Sequence, residues 1–291
     1  MTSNTQDALA ALRRSALVRD DSGPSRVYRD KAGTIYHSVT SILSATADKS
    51  GLDNWIAFTD RIYGPGAANQ DRTVAATRGT QAHNQAEFLL KLANKLARST
   101  ANKNGSLTWD DSGLARIPTP VFRWGLGKAS AKMPPVSWSA AGYARSLSAW
   151  IVQNVTQCHA CEFSIHHPAG FAGTADGLIS VSPETLERHG ADPALAGAPF
   201  IADWKTSASK RSPAMMQDYR LQCGAYSLGL EHLTPIRPAG AFIVVARRVG
   251  FPDVTFMSQD ALVQAQDGYL ERVSLFYEQL ENSIHAPGAH S

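Results

Sequence analysis

The chain has 291 residues, of which 43% are hydrophobic and 18% are charged, and its formal net charge is +3. This is the composition of a globular protein with a substantial core, and no apolar run reaches the roughly 18 to 20 residues that would span a bilayer. The charge permits nucleic-acid binding but does not require it. The three cysteines cannot all pair, and a chain of this length needs no disulfides, so a reducing, cytoplasmic compartment is expected.

The chain opens with a polar, turn-rich stretch that ends in DDSGPS. Residues 1–25 are therefore predicted to be a flexible lead, and residues 26–291 a single domain. The segment ALAALRRSALVR bears arginines, but acidic residues precede and follow it. A mitochondrial transit peptide, and with it a matrix location, is the weaker alternative.

The first elements of the domain are a hairpin and a series of helices. The sequence RVYRDKAGTIYHSV predicts two short strands around the turn Asp30–Gly33. A helix is expected from about Val39, with Ser38 or Thr40 as its cap. Further helical pieces follow, broken by GPG at 64–66, before a long helix from Arg78 to about Arg98.

His83 and Glu87 lie four residues apart on this long helix and therefore share one face. A solvated or hydrogen-bonded pair explains them at least as simply as a metal site, because histidine often has a structural role. The pattern alone favours the simpler explanation.

Residues 100–138 are rich in Gly, Pro, Ser and Trp and show no sustained period, which predicts an irregular insertion. Its basic residues alternate with tryptophans. Such a pattern suits a surface that follows a nucleic-acid backbone and stacks on bases, but it equally suits a loop that packs its aromatic side chains inward. The residues concerned are Trp109, Arg116, Arg123, Trp124, Lys128, Lys132 and Trp138.

A helix over Ser139–Val155 and a strand beginning with CHACEFSIHH come next, and Glu162 lies within the strand. The cysteines and histidines of this strand invite a zinc interpretation. That interpretation is disfavoured, because a C-x-x-C pair on a strand points its thiols to opposite faces and no second ligand pair follows at finger spacing.

Two strands, GTADGLIS and PFIADWKTS, are separated by a polar insertion that extends a hairpin connection. Their pairing would bring Asp176 and Asp203 together, and Lys205 would share the face of Asp203 because side chains two residues apart on a strand point the same way. A helix after Pro213, a buried strand GAFIVVARR and a long C-terminal helix capped by Ser258 complete the chain. This order predicts an α/β fold with a mixed central sheet flanked by helices.

Two carboxylates on adjacent strands are suitable ligands for Mg²⁺ or Mn²⁺, and a divalent ion meets the main needs of phosphodiester hydrolysis. Lys205 would then orient or deprotonate the attacking water and stabilise charge on the phosphate. A simpler explanation makes Asp176 a turn residue and Asp203 with Lys205 an exposed edge pair. The apolar residues FIA before Asp203 argue against it, since they predict a buried strand, where charges are costly without partners.

In this order the motifs resemble those of the PD-(D/E)xK nuclease superfamily, in particular the RecB-like branch that includes phage exonucleases and the mitochondrial genome maintenance exonuclease. The resemblance covers about Arg26 to Val245 and implies a restriction-endonuclease-like core with N-terminal helical elements. RGTQAHNQAE matches the helix that opens the site, GTAD and DWK match the two catalytic strands, and QCGAY matches the QxxxY helix. Ala175 stands where the superfamily name has proline.

The resemblance implies that His83, Asp176, Asp203 and the Trp204 carbonyl bind Mg²⁺ or Mn²⁺. It makes Asp176, Asp203 and Lys205 the catalytic residues. Supporting or DNA-contacting roles are implied for Arg78, Glu87, Glu162, Gln222 and Tyr226. Some members hold an iron–sulfur cluster with one early and three late cysteines; this chain has none before Cys158 and none after Cys223, so no cluster is expected.

The function implied is a divalent-metal-dependent DNA exonuclease of recombination, repair or replication, encoded by a phage or prophage. Its partners would be DNA, single-stranded or with ends, and proteins of recombination or replication, with no membrane. A DNA endonuclease of the same fold and an inactive nucleic-acid-binding module are alternatives. A glycosidase with paired carboxylates is a third, but it leaves Lys205 and the Gln222/Tyr226 face without a role.

Overall fold

The computed structural model describes the backbone of residues 8, 12, 17–23, 25–104 and 133–285, and the side chains of the same residues except 93–104, 284 and 285. In these parts of the chain the helices are α1 Val39–Thr46, α2 Ser50–Tyr63, α3 Ala67–Asn104, α4 Trp138–Asn154, α5 Pro183–Arg188, α6 Pro213–Leu233 and α7 Gln259–His285. The strands are β1 Val18–Asp20, β2 Val27–Arg29, β3 Ile35–Ser38, β4 Val155–His167, β5 Phe171–Val181, β6 Phe200–Ser207, β7 Gly240–Arg247 and β8 Asp253–Ser258.

The strands form one mixed sheet in the order β1-β2-β3-β5-β6-β7-β8, and β4 pairs with β5 beside this path. The β3·β5 and β6·β7 pairs are parallel, and the other pairs are antiparallel. Helices cover the sheet, which confirms the predicted α/β fold with a mixed central sheet flanked by helices.

Strand β5 is the junction of the sheet. Strand β4 pairs with the whole length of one edge of β5, so β3 and β6 both pair with the other edge of β5. Strand β3 pairs at Phe171 and Ala172, and β6 pairs at 177–179. Residues 173–176 lie between these two pairings. A gap in the ladder therefore opens beside Asp176, in the middle of the sheet.

The core lies on both faces of the sheet. On one face, α1, α6 and α7 pack over strand residues such as Ile201 and Ile243. On the other face, α3 and α4 pack over a group that includes Trp204 and Phe242. Because both faces are covered, β6 and β7 are buried on both sides, which explains the apolar run of β7 and the apolar first residues of β6.

Several predicted elements are confirmed with their caps. Asp30 accepts hydrogen bonds from the N–H groups of Ala32 and Thr34 in the β2–β3 turn, and Gly33 adopts a positive φ of 87° there. The Ser38 hydroxyl caps α1 and the Ser258 hydroxyl caps α7. Each cap accepts from an N–H of the first helical turn that has no partner within the helix.

Three predicted boundaries are wrong. Residues Val18–Asp20, inside the predicted flexible lead, form β1 and pair with β2. Helix α3 begins at Ala67 rather than at Arg78 and continues to Asn104, so Gly79 lies within it and residues 100–104 belong to it rather than to the insertion. Strand β8 was not predicted. Residues 105–132, which hold most of the predicted insertion, lie outside the described residues; Trp138 is 93% exposed at the start of α4.

No helix within the described ranges combines the length and the apolar character that crossing a membrane requires.

Gly224 lies where the backbone of α6 packs closely against the backbone of α7. An added Cβ would lie 2.4 Å from the carbonyl carbon of Ala265, which belongs to the backbone of α7 and cannot rotate away. We expect Gly224→Ala to lower the free energy of unfolding by about 1–3 kcal/mol, the usual cost of overpacking. Urea denaturation measures this effect. Gly51→Ala is the control: Gly51 lies on α2 with no atom near its added Cβ, so alanine should stabilise the protein slightly. Equal stability of Gly224→Ala and wild type would contradict the expectation.

Candidate metal centre

Asp176 lies on β5 beside the gap in the ladder. Strands β5 and β6 pair up to Gly177 and Ala202. Beyond this point, a hydrogen bond to the Asp176 side chain takes the place of the backbone hydrogen bond between the strands. Its Oδ2 accepts a hydrogen bond from the Trp204 N–H at 2.7 Å. The interaction fixes the carboxylate in the gap and leaves Oδ1 facing the helix above it.

Helix α3 places His83 against this carboxylate. Ala82 and Ala86 are fully buried, so α3 lies close to the sheet. Gly79 faces β6, and a Cβ there would make an ordinary van der Waals contact with Thr206 Oγ1 at 3.4 Å. As a result His83 Nδ1 lies 3.3 Å from Asp176 Oδ1.

Glu162 reaches the same point from β4. It falls between the pairs Cys161↔Gly177 and Phe163↔Ala175, so it lies opposite Asp176 in the ladder. Glu162 has a φ of +48°, the left-handed region that non-glycine residues seldom adopt. Such strained backbone is found most often at functional sites. Here it aims an acidic side chain at a second carboxylate.

His83, Glu162 and Asp176 each offer one ligand atom, and these atoms lie within 4.8 Å of one another. This is the group that can hold a metal ion among the described residues. One imidazole nitrogen and two carboxylate oxygens suit Mn²⁺ or Mg²⁺ better than a thiolate-preferring metal. The two carboxylates lie close together beside one histidine, and a divalent cation would neutralise the negative charge of the carboxylates.

Asp203 and Lys205 form a buried ion pair beside this group. Lys205 Nζ lies 2.6 Å from each Asp203 oxygen. Only the contact with Oδ1 has hydrogen-bond geometry, so Oδ2 is a buried oxygen without a hydrogen-bond donor among the described residues. The Asp203 side chain is completely buried, whereas 17% of the Lys205 side chain is exposed. The predicted placement of the two side chains on one side of β6 is confirmed.

The pKa values of Asp203 and Asp176, the two aspartates beside Lys205, shift in opposite directions. Burial raises the pKa of Asp203 to about 6, with repulsion from Asp176 adding to the shift and Lys205 opposing it. Burial favours a higher pKa for Asp176 as well, but His83, Lys205 and the Trp204 N–H together lower its pKa. Asp176 is therefore ionised at neutral pH and ready to bind a cation.

Glu162 is the least ionised acid of the group. Its side chain reaches solvent at the mouth of the site, but protein surrounds most of the carboxyl, and the lost hydration together with repulsion from Asp176 raises its pKa to about 8. For His83, burial disfavours the charged ring, but Asp176 outweighs it and the pKa is raised. For Lys205, Asp203 and Asp176 likewise outweigh burial and raise the pKa, which keeps this side chain an ammonium.

Gln222 and Tyr226 support the site from α6. Gln222 Nε2 lies 2.6 Å from Tyr226 Oη, and both side chains are buried. The Tyr226 ring packs against Gly173, where a Cβ would lie 3.0 Å from Tyr226 Cε1. Gly173 therefore has to be small for the ring to fit beside the start of the gap.

The remaining predicted residues have other neighbours. The Arg78 guanidinium lies 5.6 Å from the centroid of the Tyr143 ring on α4. Glu87 forms an ion pair with Lys91 one turn further along α3. The Trp204 carbonyl as a metal ligand stays a prediction, since only the N–H of this residue is seen to contact the group.

The cysteines and histidines of β4 are spread along the strand. Cys158 and Cys161 pair with Ile179 and Gly177, whereas His166 and His167 lie at the far end and contact the ring of His232.

Two features of the site were not predicted from the sequence: Glu162 as part of the metal-capable group, and Tyr219 beside Lys205. Glu162 joins the metal-capable group, although the resemblance gave it only a supporting role, and Asp203 is bound to Lys205 instead. Tyr219 on α6 lies under Lys205, with the ammonium 5.0 Å from the ring centroid. The signal for Tyr219 was its position three residues before Gln222, which places both on one side of a helix.

Comparison of the chain with models of known protein families and with curated proteins found no match. The resemblance to the RecB-like nucleases therefore remains a prediction that depends on the motifs.

The raised pKa of Glu162 predicts a pH-dependent stability. A carboxyl with a pKa of about 8 in the folded protein binds its proton more tightly than in the unfolded chain. The protonated carboxyl therefore makes its full contribution to the free energy of unfolding below the pKa of the unfolded chain. This contribution is lost as the pH rises through 8. Metal-free wild type should therefore lose stability relative to Glu162→Gln between pH 5 and pH 8. Mn²⁺ should reverse the order, because it binds the ionised form, and its affinity should rise by about tenfold per pH unit for each proton released.

Thermal unfolding in EDTA and in Mn²⁺ at both pH values measures this effect. Glu187→Gln, which changes an exposed glutamate on α5, is the matched control and should follow wild type throughout. A Mn²⁺-induced shift in melting temperature that is equal at pH 5 and pH 8 would show that Glu162 does not bind the metal.

Proposed function

We propose that the chain is a divalent-metal-dependent deoxyribonuclease that acts as an exonuclease on DNA. The single observation that supports this most strongly is the meeting of His83, Glu162 and Asp176 within 4.8 Å beside the buried Asp203–Lys205 pair. Carboxylates that hold a metal next to a fixed ammonium suit the hydrolysis of a phosphodiester, whose transition state carries added negative charge.

Some side chains of the site would bind the metal ion, and others would stabilise the negative charge of the phosphate. His83, Glu162 and Asp176 would hold Mg²⁺ or Mn²⁺, which activates water and neutralises the phosphate when bound. The buried Asp203 Oδ2 has no hydrogen-bond donor among the described residues. Asp203 fixes the Lys205 ammonium, which donates to the phosphate oxygens and orients the attacking water.

The choice of DNA rests on the motif resemblance, and so does the choice of exonuclease over endonuclease. The paired-carboxylate glycosidase alternative fits less well, since it gives the Asp203–Lys205 pair no role. The proposed place of action is the cytoplasm, because three cysteines without a disulfide requirement suit a reducing compartment.

End-labelled linear, nicked and circular DNA, each single- and double-stranded where possible, should be digested side by side with Mn²⁺, Mg²⁺ or EDTA. An exonuclease shortens linear DNA in the presence of metal and leaves closed circles intact. Cleavage of closed circles would assign an endonuclease instead. If neither substrate changes with either metal, the nuclease proposal is wrong.

A further inference from the structure

The segment between β6 and α6 carries an arginine without an acidic partner. Arg211 is half-buried, and no carboxylate of the described residues lies within ion-pair distance of it. Its Nη2 donates to the Thr206 carbonyl at 2.7 Å, and its Nη1 makes a long contact of 3.6 Å with the sulfur of Met215. Its Nε is buried and has no hydrogen-bond partner among these residues.

Arg211 and Lys205 share a neighbour, the ring of Tyr219 on α6. Its guanidinium carbon is 5.9 Å from the centroid of the Tyr219 ring, and the Lys205 ammonium is 5.0 Å from the same centroid. Two cations therefore contact one ring. The Thr206 carbonyl that holds Arg211 belongs to the residue next to Lys205, so the guanidinium is anchored directly to the strand that carries the ion pair.

Two positive features lie next to Arg211 in the chain. Lys210 precedes it in the chain, and Pro213, two residues later, begins the 21-residue helix α6, whose N-terminus carries a partial positive charge. A guanidinium has five N–H donors, and the contacts with Thr206 and Met215 use one on each Nη, so further Nη donors remain for an anion. Guanidinium groups bind phosphate through paired N–H donors, which makes a phosphate the best-fitting ligand.

We propose that Arg211 binds a non-scissile phosphate of the DNA strand and so sets the position of the strand relative to the metal centre. This inference rests on the proposed nuclease function. Arg211 is then a substrate-binding residue and does not hold the metal. Its removal should weaken strand binding and leave Mn²⁺ binding unchanged.

The test combines a substitution with a modified substrate. Arg211→Ala should raise KM or lower kcat/KM by about 10- to 100-fold, the value of a lost charge-assisted hydrogen bond. Arg211→Lys should recover part of the loss. Arg220→Ala, which removes an exposed arginine further along α6, is the control and should stay within about twofold of wild type.

Oligonucleotides with one neutral methylphosphonate, moved along the strand position by position, identify the phosphate. At one position, the methylphosphonate should strongly reduce cleavage by wild type but have little effect on cleavage by Arg211→Ala. The reason is that the variant already lacks the guanidinium that would bind the removed phosphate charge. The melting temperature and the Mn²⁺ affinity of Arg211→Ala should match those of wild type, and Arg211→Gln serves if alanine prevents folding.

If wild type cleaves DNA but every methylphosphonate affects both proteins equally, the Arg211 proposal is wrong and the nuclease proposal stands. If wild type neither binds nor cleaves DNA, the nuclease proposal itself is wrong.

Discussion

Asp176→Asn is expected to abolish metal-dependent cleavage, with a loss of at least about 1,000-fold in kcat, and to weaken Mn²⁺ binding strongly. Asp176 is the acid that His83 contacts at 3.3 Å, and it belongs to the metal-capable group. Removing its charge takes away several kcal/mol of interaction with the cation, and each 1.4 kcal/mol is a factor of ten in rate. Asparagine has the same shape, and its amide oxygen can still accept the Trp204 N–H, so the fold should remain.

Asp192→Asn is the matched control for this substitution. Asp192 also accepts a hydrogen bond from a backbone N–H, that of Ala194 at 2.8 Å, but it lies on the exposed β5–β6 connection. It should keep full activity and full Mn²⁺ affinity. Titration calorimetry and a single-turnover assay measure both properties. Asp176→Asn with wild-type Mn²⁺ affinity would show that the metal does not bind here.

Lys205→Met should destabilise the metal-free protein by about 3–5 kcal/mol at pH 8, because it leaves the fully buried Asp203 carboxylate without its cation. The effect should shrink towards pH 5, since the pKa of Asp203 is about 6 and the carboxyl can then take up a proton. The double variant Asp203→Asn/Lys205→Met should recover much of the stability. Neither variant should cleave DNA, because the ammonium that would stabilise the phosphate is absent from both.

Urea denaturation in EDTA at the two pH values separates the stabilising role of the pair from its proposed role in cleavage. Arg247→Met is the control: Arg247 lies 3.2 Å from Asp253, whose side chain is 54% exposed, so breaking this pair should cost only about 0–1 kcal/mol. A double variant as unstable as Lys205→Met, or a Lys205→Met protein that cleaves at the wild-type rate, would contradict the account.

Elements with strong local signals were predictable from the sequence. The β2–β3 turn has Asp30 and Gly33 at the positions where a carboxylate acceptor and a positive φ are needed. The caps Ser38 and Ser258 directly precede α1 and α7, and β7 has a continuous apolar run, as do the first three residues of β6. In each case, the residues that decide the structure are neighbours in the chain.

Elements that depend on distant contacts were not predictable. Strand β1 has three residues, too few for a periodic pattern, and its pairing with β2 defines it. Helix α3 begins at Ala67, well before the predicted start at Arg78, and it continues without a break through Gly79. Tertiary packing outweighs the low helix propensity of glycine at this position.

The candidate site shows the same division. The motifs around Asp176 and Lys205 were visible in the sequence, and their meeting follows from the pairing of β5 with β6. The role of Glu162 was not visible, because the register of β4 shifts between Cys158 and Ala160. A shift of one residue moves side chains to the opposite face of a strand. The register and the positive φ of Glu162 together bring it to Asp176, and neither can be read from the spacing of residues.

The most direct test of the central claim is a single assay of the purified chain on end-labelled linear DNA with Mn²⁺ and with EDTA, run beside Asp176→Asn and Asp192→Asn. Full-length DNA should be lost progressively with wild type and with Asp192→Asn in Mn²⁺, and it should remain intact in EDTA or with Asp176→Asn. Intact DNA in every Mn²⁺ reaction, or equal cleavage by Asp176→Asn and wild type, would contradict the central claim.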